Sequence, residues 1–173
     1  MIGGDDESKK FWEEREKDKG GKLGFFTFAT YMGISSEKPV NTGGLLYTID
    51  RKIYFEDFEK ENWFSKILSK RQKWEKTEFS IGGDEIAELK RVSKNSALNC
   101  ISGLVKDTDT KPVSLVIQFL AQSVLQIRLT RGYSVFLDVM REKDFVAAIK
   151  GWLSKTPPGV TPPEGTRIGS SPG

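Results

Sequence analysis

The order of elements along this chain restricts its fold more than any single motif does. Short β-like segments run from about residue 23 to 139 and then give way to one amphipathic helix at 141–155. Strands first and a single helix last predicts a mainly β domain with one C-terminal α-helix. Its expected form is a partly open barrel of two antiparallel sheets, with the helix packed over the open end. Such a shape is suited to binding.

The pattern predicts strands at 23–34, 44–49, 52–58, 77–81, 86–92, 113–120, 124–130 and 133–139. Gly33 interrupts the first. Asp50-Arg51 reads as a tight hairpin, and Gly82-Gly83-Asp84-Glu85 as another hairpin turn. In the third strand the period of two places Ile53, Phe55 and Asp57 on one face, with Tyr54, Glu56 and Phe58 on the other. The last three segments read as a meander turning at Ala121-Gln122 and Arg131-Gly132. Residues 95–104 fit either a short strand or a connection. In the final helix Phe145, Ile149, Trp152 and Leu153 share one side, and Glu142 and Asp144 suit its positive N-terminal end.

The flanks lack the apolar content of a core. Residues 1–22 read as a charged arm, with a short helix at 11–19 anchored only by Phe11 and Trp12. Residues 156–173, with Pro157-Pro158 and Pro162-Pro163, read as a disordered tail. One domain, 23–155, remains between them.

Composition removes several function classes. No apolar run approaches the roughly 18 residues of a membrane-spanning helix, and the polar, acidic start is not a secretory leader. The single cysteine, Cys100, excludes a disulfide framework and suits a reducing compartment; between Leu98 and Ile101 it reads as a small buried hydrophobe. The chain has no histidine. That excludes histidine-based triads and the common zinc sites, and leaves carboxylate, lysine or magnesium chemistry as the enzymatic options. The net charge of +3 is too small to argue for nucleic acid by itself.

Gly43-Gly44-Leu45-Leu46-Tyr47-Thr48-Ile49-Asp50-Arg51-Lys52-Ile53-Tyr54-Phe55-Glu56 resembles the second and third strands of pleckstrin-homology-like (PH-like) domains, closest to the GRAM and bacterial branch. Phe79-Ser80-Ile81 followed by Asp84-Glu85-Ile86 resembles a later step of that branch, with Gly82 where proline is usual. Phe136-Leu137-Asp138-Val139, then Asp144-Phe145-Val146-Ala147-Ala148-Ile149, is similar to the family's last strand and helix. The resemblance spans residues 23–155 and implies the helix-capped barrel. Phosphoinositide-binding members carry a lysine on the first strand and Lys-x-Arg on the second. Here Phe25, Thr27 and Ala29 stand on the first, and no basic residue lies between Gly43 and Asp50. A headgroup site in this chain is therefore expected to be built differently.

The candidate for that site is a basic, aromatic insert at 60–76. It holds six basic residues and two acidic ones. Trp63, Phe64, Ile67 and Leu68 follow helical spacing, with Lys66, Lys70, Arg71 and Lys73 beside them. Rings that enter a headgroup region, and cations worth about 1 kcal/mol each near an anionic surface, are what an interfacial contact requires. In the PH-like fold this insert leaves the same end as the first–second strand loop, which adds Lys38. Two other readings stay open: the apolar stripe packs on the domain with the lysines solvated, or the insert binds a protein partner. No RNA-binding strand motif accompanies it, so nucleic acid is not expected.

Gly82-Gly83-Asp84-Glu85 also invites comparison with the diguanylate cyclase signature. The upstream acidic and Phe-Lys-x-x-Asn-Asp segments are missing, and strands follow where helices are needed, so a turn with a solvated Asp84 and Glu85 is expected. Asp107-Thr108-Asp109 lacks the further ligands of a calcium loop and reads as a polar turn. The expectation is thus a non-catalytic, cytoplasmic PH-like module without cofactor or metal, in peripheral contact with a membrane. It recognises anionic phospholipid, a phosphoinositide or phosphatidic acid; the alternative is a PH-fold scaffold that binds protein alone.

Overall fold

The computed structural model describes residues 3–58, 77–114 and 122–153. The 60–76 insert, most of the 113–120 segment and the 156–173 tail lie outside the described residues.

Among the described residues seven strands follow a first helix: α1 (Gly3–Lys19), β1 (Leu23–Ile34), β2 (Thr42–Ile49), β3 (Lys52–Asp57), β4 (Glu78–Gly82), β5 (Ile86–Ser93), α2 (Lys94–Ile101), β6 (Ser123–Leu129), β7 (Ser134–Val139) and α3 (Glu142–Leu153). They form one antiparallel sheet in the order β4-β3-β2-β1-β7-β6-β5. Among the described residues its edges, β4 and β5, do not pair, so the sheet is not closed.

Alternation decides which side of each strand faces inward. In β1, Thr27, Ala29 and Tyr31 are buried, while Phe26 and Phe28 are exposed. In β3, Ile53, Phe55 and Asp57 are buried, as the period of two predicts. One apolar cluster joins Leu46, Ile53 and Phe55 to Leu125, Ile127 and Leu137, with Phe145 and Ile149 of α3. The two halves of the sheet therefore share one core, and α3 belongs to it. Each fully buried Ile, Leu or Phe there contributes about 1.5–3 kcal/mol of transfer free energy. The α3 C-terminus is held at Arg51, whose guanidinium donates to the Trp152 carbonyl at 3.0 Å.

A second cluster of Met32, Val92, Ala97, Cys100, Ile101, Val124 and Phe136 carries α2 against β1, β5 and β6. Neither a strand nor an irregular connection describes residues 95–104. The Ser93 side chain caps α2 by accepting from the Ser96 amide at 3.2 Å. Ala97, Cys100 and Ile101, three and four apart, then give the short helix its buried stripe.

The Gly82–Glu85 segment is not a hairpin turn either. β4 pairs with β3 and β5 with β6, at opposite edges of the sheet. The chain passes between them through a single 3-10 turn at Gly83–Glu85. Three bonds fix this corner. The Glu85 carboxylate accepts from the Gly82 amide at 2.8 Å. The Gly83 amide donates to the Arg51 carbonyl, and the Thr130 amide to the Glu85 carbonyl, each at 2.8 Å. Asp84 is solvated as expected, but Glu85 is engaged, also pairing with Arg131 at 2.7 Å.

Of the expected meander, β6 does pair with β7; its other side pairs with β5, and most of the 113–120 segment lies outside the described residues. Gly33 does interrupt β1: the β1–β7 register shifts between Tyr31 and Gly33, whose φ of 132° favours glycine.

Candidate functional site

The antiparallel order brings two connections to one end of the sheet. Tyr31 of β1 faces Thr42 of β2, and Gly44 of β2 faces Asp57 of β3. The Phe58 amide donates to the Gly43 carbonyl at 3.2 Å. The chain comes back at Thr77, whose carbonyl accepts from the Asp57 amide at 3.1 Å. The Thr77 amide in turn donates to Asp57 Oδ2 at 2.8 Å. The stems of the β1–β2 loop and of the 59–76 connection therefore lie side by side at this rim.

Lys38 is exposed on the β1–β2 loop. That loop is pinned: the Ser36 and Glu37 amides donate to the Cys100 and Ile101 carbonyls at the end of α2, at 3.0 and 2.8 Å. Of the predicted lipid-binding residues, Lys38 alone is within the described residues, and it stands at the rim as expected. Trp63, Phe64, Lys66, Lys70, Arg71 and Lys73 lie outside them.

Sequence reasoning did not single out the aromatic outer face beside the rim. Phe28 is 51% exposed and Phe58 47%, with ring centroids 5.6 Å apart. Val40 is exposed nearby in chain terms. The signal was present in the alternation: Phe26 and Phe28 occupy positions of β1 where a solvent-facing strand normally carries polar side chains.

α1 lies across the rest of this face. Trp12 packs on Phe26 and edge-on against Tyr47, with centroids at 4.8 and 5.5 Å. The Arg15 guanidinium donates to Glu56 at 2.8 Å and stacks 4.8 Å from the Phe11 ring centroid. The Tyr47 hydroxyl donates to the other Glu56 oxygen. Burial, and then that carboxylate, push the Tyr47 hydroxyl well above the usual phenol range. At the helix end the Glu16 carboxylate accepts from the Leu23 amide and from Lys22, both at 2.9 Å. The charged arm is thus a helix that starts at Gly3, rather than near residue 11, and is seated on the sheet.

Between α1 and the strands opens a cleft of about 310 Å³ lined by Phe11, Arg15, Phe28, Leu45, Glu56, Asp57 and Phe58. Asp57 is 5% exposed, and its Oδ1 has no hydrogen-bond partner among the described residues. No group of three His, Cys, Asp or Glu that would hold a metal occurs among the described residues. No helix there is long and apolar enough to cross a membrane.

No family model and no curated protein matches this chain. Among solved structures, the C-terminal domain of an unknown protein from Leishmania infantum is similar at 15% identity. The match covers 84% of this chain and 97% of that one, with a TM-score of 0.47, too distant to carry fold or function across.

Proposed function

We propose that this chain is a non-catalytic PH-like binding module whose rim meets an anionic phospholipid surface. In this reading β1–β4 and β5–β7 are the two sheets of a partly open barrel, and α3 caps it. The observation that carries the reading is the shared end of the two connections. Lys38 stands on one, and the other is the stretch of sequence with Trp63, Phe64, Lys66, Lys70, Arg71 and Lys73. The exposed Phe58 at the stem adds apolar surface of the kind an interfacial contact uses.

Sedimentation with liposomes tests it. Binding is expected to vesicles containing phosphatidic acid or a phosphoinositide, to weaken as salt rises, and to disappear in a Lys66→Glu, Lys70→Glu, Arg71→Glu, Lys73→Glu variant. Failure of the folded wild type to sediment with any anionic vesicle would reject the lipid reading. The second reading, a PH-fold scaffold for a protein partner, is favoured by the aromatic cleft beside α1 and by the lack of basic residues on β2.

A further inference from the structure

We propose that the outer aromatic face of β1–β3 is a seat for an amphipathic helix of a partner protein, with α1 as its resident occupant, and that the partner's helix takes the seat by displacing α1. This goes beyond the membrane reading and does not depend on it.

The resident shows what the seat accepts. One ring, Trp12, packs on Phe26 and Tyr47, and one cation, Arg15, donates to Glu56 at 2.8 Å. The two side chains are three residues apart, so a helix presents both on one face. The Glu56 side chain is largely buried and is held from the strand side by the Tyr47 hydroxyl. A largely buried carboxylate that loses its cation is costly. A helix that replaces α1 therefore has to bring its own cation to Glu56. The partner this seat fits is a helix with an aromatic side chain and an arginine three residues after it.

α1 leaves the seat underfilled. Its only large apolar side chains are Phe11 and Trp12, and none of its residues belongs to either buried apolar cluster. The cleft stays open beside it, and Phe26, Phe28 and Phe58 remain exposed. By the helical period Ser8, four residues before Trp12, lies on the side of α1 that carries Trp12, Arg15 and Lys19. Phe11, which lines the cleft with Phe28 and Phe58, marks the same end of the seat. There α1 brings an exposed serine, where a large apolar residue would bury ring surface that is now in water.

Exchange is a competition in which α1 keeps an advantage. Its C-terminal end is tied to the first strand through Glu16 and the Leu23 amide. A displaced α1 stays tethered and competes at a high local concentration. The partner's gain over α1 has to come from the rings α1 leaves exposed.

The test follows backbone amide and indole resonances of the full-length chain. The probes are a peptide of residues 3–19, its Ser8→Leu form, and a Ser8→Leu, Arg15→Glu form. The Ser8→Leu peptide is expected to shift the Trp12 indole and Leu45 amide signals of the wild type saturably. It is expected to bind roughly tenfold or more tightly to a Trp12→Ala, Arg15→Ala chain, in which the resident helix is released. The peptide of unaltered sequence is expected to bind roughly tenfold more weakly than the Ser8→Leu form, and a Phe28→Ala chain is expected to erase that difference. The Arg15→Glu change in the peptide is expected to abolish binding. No saturable shift in the wild type at millimolar Ser8→Leu peptide overturns the proposal, because α1 is then a fixed part of the fold; this outcome decides even if the released variant does not fold. Undiminished binding of the Arg15→Glu peptide overturns it, as does a leucine advantage that survives Phe28→Ala. None of these changes touches Lys38 or residues 60–76, so liposome sedimentation of the same chains reports on the membrane reading separately.

Discussion

At the scale of single residues, the side chains that matter most are polar ones removed from water. Gln126 is fully buried; its amide donates to the Asp107 carbonyl and to Ser134 Oγ, both at 2.9 Å, and its oxygen accepts from Thr110 at 2.5 Å. These bonds tie the 107–110 turn to β6 and β7. Gln126→Leu removes them while leaving three partners desolvated, so a destabilisation of about 1–3 kcal/mol is expected in urea unfolding. The reading of Asp107-Thr108-Asp109 as a turn holds, but its buried anchor lies in a strand that an alternating pattern alone does not mark as polar inside. Cys100 is the simpler case: an apolar neighbourhood foretold its burial, and it is fully buried. Burial, followed by the nearby Asp107 charge, pushes its thiol up to about 11. At pH 8 it is therefore expected to resist maleimide in the native protein and to react at the rate of unfolding, with the urea-unfolded chain as the fully labelled control.

At the scale of elements, regular alternation was legible and corners were not. β1 occupies the predicted span because a long aromatic, β-branched run has no helical period, whereas the single 3-10 turn at Gly83–Glu85 carries the same glycine and acid letters as a hairpin. α2 was missed because eight residues with four apolar ones resemble a loop until the Ser93 cap is seen. The helical part of α1 was read short. Its seat on the sheet has a pH dependence of definite sign. The Leu23 amide first, and Lys22 second, hold the Glu16 carboxyl below its ordinary range. A depressed folded value means that this tether is present above the unfolded value of about 4.3 and is lost as pH falls through the folded one. Acid titration of the Leu23 amide shift is expected to report that release with a midpoint below 4.3; a midpoint at or above it would deny the tether.

At the scale of the whole molecule, a mainly β chain ending in a helix was readable, but strand order was not, because pairing partners distant in sequence leave no local mark. β7 lies beside β1, and the chain passes from one edge strand, β4, to the other, β5, through the Gly83–Glu85 turn. The last helix is integral: Phe145 and Ile149 are fully buried in the core shared by both halves of the sheet. Ile149→Ala is expected to cost about 2–5 kcal/mol in chemical denaturation, with a single cooperative transition retained. Separate transitions for the two halves would instead show that α3 does not join them.

Thr30 is matched to Asp138, and Ala29 to Val139. On the ribosome, the N-terminal hairpins have partners as soon as they emerge, yet one flank of β1 must wait until β7, about a hundred residues later, has been made. During that interval β1 keeps a row of unpaired backbone groups along one flank, the feature that invites edge-to-edge association.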